Sequence, residues 1–128
     1  MMKLIEIEWM HLDVSGETCV RCADTGDAVQ RAIEELNREC GDAGIRVRLK
    51  ETRLDAGRID ESNRILVNGR PIEAILPEME LSASDCSSCG ELIGEATQCR
   101  SLVVDGQEYE AVPPARIREA VCRVGGCC

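Results

Sequence analysis

Phenylalanine is absent from the sequence, and tryptophan and tyrosine occur once each. The core of such a 128-residue chain has to be aliphatic. Histidine also occurs once, as His11. The chain offers no Ser-His-Asp arrangement, phosphate-cradling glycine loop or paired catalytic carboxylate. Apolar runs are short: none approaches the roughly 20 residues that a membrane span needs, which argues against a membrane partner. Basic residues are outnumbered, with 15 Lys and Arg against 24 Asp and Glu and a net charge of −9. A surface of that sign repels phosphate backbones, so nucleic acid is not an expected partner. With 44% hydrophobic and 30% charged residues the composition is still that of a folded protein, and the length suits a single domain over 1–128. Met1 to Leu12 carries Glu6, Glu8 and His11 where an export signal would need an unbroken apolar stretch. A cytoplasmic setting is therefore expected.

Cysteine is what the chain has in excess. There are nine, an odd number that rules out complete intramolecular pairing. In a reducing compartment their spacings point to metal ligation or redox work before structural disulfides.

The hydrophobic pattern sets the scaffold around them. Ile5, Ile7 and Trp9 alternate with charged neighbours, predicting a half-buried strand over 3–9. From about Cys19 to Cys40 the period turns helical, with Val29, Ile33, Leu36 and Cys40 on one face. Thr18, Asp24 and Thr25 are the candidate caps. Ile45, Val47 and Leu49 alternate with Arg46, Arg48 and Lys50, a second strand with one basic face. Ile65-Leu66-Val67 is a third, closed by the Asn68-Gly69 turn. Pro71 to Leu76 suits one helical turn. Residues 77–101 hold little apolar material and three cysteines, so order there needs a reason, and cross-linking by metal or disulfide is one. Val103-Val104, Asp105-Gly106 and Tyr109 to Val112 predict a hairpin, and Pro113-Pro114 opens a last helix carrying Ile117, Val121 and Val124. This order predicts an α/β, thioredoxin-like fold: a right-handed βαβ unit in a central mixed sheet, helices on both faces, a cysteine-rich insertion at about 77–101 and a flexible tail at 125–128. A ferredoxin-like arrangement is the rival, but it needs a second long helix before the last strand.

Three cysteine groups carry candidate chemistry. Cys19-Val20-Arg21-Cys22 follows the first strand at the head of the helix, where the positive end of the helix dipole and Arg21 favour a thiolate. Cys19 is the candidate attacking thiolate and Cys22 the resolving one, giving thiol–disulfide or soft-metal thiol chemistry and a possible protein thiol partner. Glu61-Ser62-Asn63 stands where a thioredoxin carries its cis-proline, and no proline precedes Ile65. Cys86, Cys89 and Cys99 form the second group. Two thiolates two residues apart clasp one metal and a third joins them, so zinc or another thiophilic metal is the candidate cofactor of an alternative, non-catalytic binding module; one local disulfide plus a thiol is the rival. The third group is Cys127-Cys128 on a Gly-Gly hinge, suited to mercury(II) or arsenic(III). Cys40 suits core packing, Cys122 core or ligand, and His11 a ligand, a base or a structural hydrogen-bonder.

Glu8-Trp9-Met10-His11-Leu12-Asp13, Gly16-Glu17-Thr18-Cys19-Val20-Arg21-Cys22 and Asp24-Thr25-Gly26 together resemble the opening of a small prokaryotic thioredoxin-like family of unknown function. Glu61-Ser62-Asn63, Asn68-Gly69-Arg70-Pro71 and the Cys86–Cys99 segment are similar to the same pattern. The resemblance covers most of the chain, but not the Cys127-Cys128 tail. The resemblance implies the thioredoxin-like fold and a bacterial or archaeal cytoplasm, and no substrate. On that topology Cys19/Cys22 and Cys86/Cys89/Cys99 are expected at opposite ends of the sheet, roughly 17–20 Å apart, as two separate sites. Only a chain doubling back through residues 77–85 would join them.

Overall fold

The computed structural model describes residues 3–94 and 97–126, apart from the side chains of residues 60 and 87–89. Strand β1 (Lys3–Leu12) buries Ile5, Ile7 and Trp9, as their alternation predicts. It runs past residue 9 because Met10, His11 and Leu12 find partners in Thr52, Arg53 and Leu54 of the parallel strand β2 (Ile45–Leu54). The basic face of β2 is matched across this pair: Glu6 stands opposite Arg48 and Glu8 opposite Lys50, with Arg48 Nη2 2.9 Å from Glu6 Oε2.

Helix α1 (Val20–Cys40) connects the two strands. Its N-cap is Cys19, whose sulfur accepts the Cys22 N–H, so none of Thr18, Asp24 and Thr25 takes that role. Gly26 lies where α1 crosses Trp9, and a Cβ there would sit 2.5 Å from the indole Cζ2. A glycine inside a helix weakens it; here the close approach of the ring requires one.

Strand β3 (Arg64–Val67) is antiparallel to β1, pairing Ile65 with Trp9 and Val67 with Ile7. Asn68 and Gly69, at φ 50° and 81°, turn the chain into β4 (Arg70–Pro71). The first sheet therefore has the order β2-β1-β3-β4. Helix α2 (Ile72–Ile75) is the expected single turn.

The chain then departs from the expected single sheet. Strand β5 (Met79–Asp85), helix α3 (Ser87–Ile93), strand β6 (Gln98–Val104) and strand β7 (Gln107–Tyr109) build a second, three-stranded antiparallel sheet of order β5-β6-β7. The predicted hairpin at Asp105-Gly106 is present, but it joins β5 and not the central sheet. The reason is the β5–β6 ladder, paired from Met79↔Val104 to Asp85↔Gln98. It also orders the cysteine-rich stretch, whose first strand buries only Met79 and leaves Leu81 half-exposed.

Helix α4 (Pro114–Gly125) closes the chain, with Pro114 in its first turn. It takes in Gly125, expected in the tail, and ends on Gly126 at φ 72°. Cys127 and Cys128 lie outside the described residues. One aliphatic core joins the layers: Ile5, Ile7 and Val67 of the first sheet, Leu102 and Val104 of the second, Val29 and Leu36 of α1, and Ile117 and Val121 of α4. Among the described residues no helix is long and apolar enough to cross a membrane.

Asn63 fastens the sheets together where the thioredoxin pattern would place a cis-proline. The described residues contain no cis peptide bond; Asn63 instead adopts φ 59°, a left-handed conformation that asparagine tolerates. Its Nδ2 donates to Arg100 O and Glu110 O, both at 2.8 Å, and its Oδ1 accepts the Thr25 hydroxyl.

Candidate metal centre

Cys19 and Cys22 come from the first turn of α1, and both are completely buried. Cys99 lies on β6 opposite Ser84 of β5. Cys86 follows β5 directly, and its N–H donates to Thr97 O at 2.9 Å, which continues the ladder into the head of α3. Because β5 runs back along the molecule, this end of the second sheet abuts the head of α1. Cys19, Cys86 and Cys99 therefore meet: their sulfurs all lie within 4.8 Å of one another. The expectation of two separate sites is thus overturned. Residues 77–85 double back, and the ladder with β6 is what carries them. The side chain of Cys89, expected as a third ligand beside Cys86 and Cys99, lies outside the described residues.

The surroundings are apolar. Leu12, Val14, Ile59, Leu92 and Ile93 pack against the cysteines. Cys19, Cys22, Cys86 and Cys99 are thiols, not disulfides. The Cys22 thiol is pushed strongly upward, first by its hydrogen bond to the Cys19 sulfur, then by burial and by the charge of Cys19. Cys22 thus holds its proton well above the ordinary thiol range. Cys40 and Cys122 are each disulfide-bonded, which removes both from the pool of ligands.

Arg21 assembles this meeting point. Its side chain is almost fully buried, so it does not act as a solvated positive charge between two sulfurs. Nη1 donates to Cys99 O at 3.0 Å and to Arg100 O at 3.3 Å, and Nη2 donates to Asp85 O at 3.0 Å. The residue between Cys19 and Cys22 thereby grips the backbone beside Cys86 and at Cys99. Nη2 also reaches Glu110 Oε1 at 3.2 Å. Arg21 Nε, Thr18 Oγ1 and Ser84 Oγ are buried without hydrogen-bond partners. All three belong to residues next to the cysteines in sequence or in register.

His11 is built into the scaffold. It stacks on Trp9 with ring centroids 4.1 Å apart, Nε2 lies 2.8 Å from Glu51 Oε2, and Nδ1 lies 3.0 Å from Leu12 O. Sequence reasoning found every cysteine of the cluster but divided them between two sites. It missed the gripping role of Arg21 and the joining role of Asn63. The visible signal is the placing of Arg21 inside the C-x-x-C, which points to charge in the sequence and acts through reach in the structure.

The chemistry this supports is soft-ion binding. Around a metal with metal–sulfur bonds of about 2.3 Å, ligand sulfurs stand about 3.8–4.0 Å apart. Sulfurs already within 4.8 Å of each other need to close by less than about 1 Å to meet that spacing. An all-sulfur donor set selects thiophilic ions over hard ones.

The family described as Domain of unknown function (DUF2703) matches residues 5–121. An uncharacterized protein of Archaeoglobus fulgidus is 34% identical over 112 residues, covering 84% of this chain and 78% of that protein. No solved structure matches the chain.

Proposed function

The chain belongs to DUF2703, a family of unknown function, and we propose that this member is a metal-binding protein that holds one thiophilic ion on the Cys19, Cys86 and Cys99 thiolates. Zinc, mercury(II) and arsenic(III) all suit such a donor set. The single observation that carries the reading is the convergence of these buried sulfurs from three elements distant in sequence. Three thiols from the N-cap of α1, the end of β5 and the start of β6 would meet by packing alone only at the cost of placing polarizable, reactive groups together. A shared ion gives that geometry a purpose and neutralises the thiolates it needs. The site would fasten the second sheet to the head of α1.

The test is metal analysis of anaerobically purified protein. About one ion per chain is expected, lost in Cys19→Ser, Cys86→Ser and Cys99→Ser. Metal-free protein that also fails to bind added zinc(II), cadmium(II) or arsenite would refute the proposal.

A second reading, thiol–disulfide exchange by a thioredoxin-like protein, draws support from a specific arrangement. The first sheet has the order β2-β1-β3-β4 with β1 and β2 parallel, and the Cys19/Cys22 pair heads the helix between them. Against it stands the complete burial of both sulfurs, which leaves an incoming disulfide no approach without opening. A disulfide-reduction assay comparing wild type with Cys19→Ser separates the two readings.

A further inference from the structure

Cys19 belongs to two groups at once. Its sulfur lies within 4.8 Å of those of Cys86 and Cys99. The same sulfur accepts the Cys22 N–H at 3.4 Å and the Cys22 thiol proton. Cys22 stands outside the three-sulfur group, yet it is equally buried and shares its apolar lining. The two side chains face each other as N-cap and third helical residue, a spacing that a disulfide spans with small side-chain rotations. A sulfur committed to a disulfide has no charge to offer a metal. The two uses of Cys19 therefore exclude each other.

Resting on the metal reading above, we propose that Cys22 is the release thiol of the site: oxidation of Cys19 and Cys22 to a disulfide expels the bound ion, and reduction restores the binding form. The oxidant is a disulfide, RS–SR. Because Cys19 is completely buried, the step begins with a local opening at the head of α1; the Cys19 sulfur then leaves the metal and attacks RS–SR, forming a mixed disulfide and releasing one RS⁻. Cys22 then gives up its proton and attacks the Cys19 sulfur, forming the Cys19–Cys22 bond and releasing the second RS⁻, while that proton goes to a released thiolate. The protein loses two electrons and RS–SR gains them. The ion is left with Cys86 and Cys99 and passes to the thiols just produced. The C-x-x-C then serves as a redox gate on metal occupancy.

The experiment uses the full chain loaded with cadmium(II) and exposed to glutathione buffers of rising disulfide content. Free cadmium is read with a chromogenic chelator and disulfides are mapped by mass spectrometry. Wild type should release cadmium in step with a Cys19–Cys22 disulfide and rebind it on reduction. Cys22→Ser and Cys22→Ala should bind cadmium with the same stoichiometry. Without the intramolecular step, whose effective thiol concentration is on the order of millimolar or more, their release should need about tenfold more glutathione disulfide. Release at the same disulfide content in wild type and both variants would overturn the proposal, as would a Cys86–Cys99 disulfide as the releasing species. Wild type that binds no cadmium at all would refute the metal reading itself, and this one with it.

Discussion

Replacing Arg21 with Met keeps the length and apolar stem of the side chain and removes the guanidinium. Three backbone carbonyls lose a charged donor: Asp85 O, Cys99 O and Arg100 O. Arg100 O keeps the Asn63 amide at 2.8 Å. Hydrogen bonds to a charged group contribute about 1.5–3 kcal/mol each, and stranded buried acceptors cost about 1–3 kcal/mol. Water entering along the Glu110 side, where that carboxylate is 68% exposed, recovers part of this loss. A net destabilisation of about 3 kcal/mol follows. The Glu110 ion pair itself adds less than about 1 kcal/mol, because solvent screens it. With a urea m-value of about 2 kcal/mol/M, the midpoint should fall by about 1.5 M in Arg21→Met and barely move in Glu110→Gln. Urea titrations of the metal-free proteins, followed by circular dichroism, make the measurement. Equal shifts in the two variants would show that the exposed ion pair, and not the grip on the β5 and β6 carbonyls, is what Arg21 contributes. A shift under about 0.5 M in Arg21→Met would refute the argument outright.

Other perturbations probe separate parts of the molecule. Gly26→Ala should destabilise by about 1–3 kcal/mol despite the better helix propensity of alanine, because its Cβ meets the Trp9 ring; an increase in thermal midpoint would contradict the close approach. Cadmium affinity should rise with pH, since each protonated ligand thiol must lose its proton on binding, and a flat profile between pH 6 and about 9 in competition titrations would argue against thiolate ligation. For Cys22 the folded thiol titrates above the ordinary 9.0. The folded state therefore holds a proton that the unfolded chain has lost, and metal-free stability should decline by about 1.4 kcal/mol per pH unit above pH 9, a slope that Cys22→Ser should flatten. Cys89→Ser tests whether that residue helps to order the insertion: faster amide exchange over residues 82–100 with unchanged exchange in β1 and β2 is the expected result, and identical exchange throughout would sink the idea.

The first sheet was legible because its strands carry their burial in their sequence. Ile5, Ile7 and Trp9, then Ile45 and Val47, then Ile65 and Val67 are apolar where the strand faces inward. The second sheet broke that rule. In β5 the alternation Met79, Leu81, Ala83 suggests one inward face, yet Leu81 and Ala83 are exposed while Ser82 and Ser84 are half-buried. Its stability comes from the ladder with β6, which is a property of two segments and not of either alone. A single-segment reading finds a polar stretch with cysteines in it and infers a loop.

The make-up of the site is hidden in the sequence for the same reason. Which cysteines share a site depends on where β5 ends, and Cys86 reaches Cys19 only because the β5–β6 ladder runs to Asp85↔Gln98. Once the ladder exists, the other pieces follow from short-range chemistry. Arg21 is long enough to leave α1 and find Asp85 O and Cys99 O, and Asn63 at φ 59° turns its amide onto Arg100 O and Glu110 O. Each of these residues ties the first layer to the second beside a cysteine. An ion on Cys19, Cys86 and Cys99 would make the same kind of tie. By mass action, an ion at a hundredfold excess over its dissociation constant would add about 2.7 kcal/mol, close to what Arg21 is expected to contribute. The cluster and the arginine thus act on one joint. At one fixed cadmium(II) concentration the Arg21→Met variant, whose ligands are no longer held together, should gain less midpoint from the metal than the wild type does, while Gly26→Ala, whose damage lies at Trp9, should gain as much as the wild type.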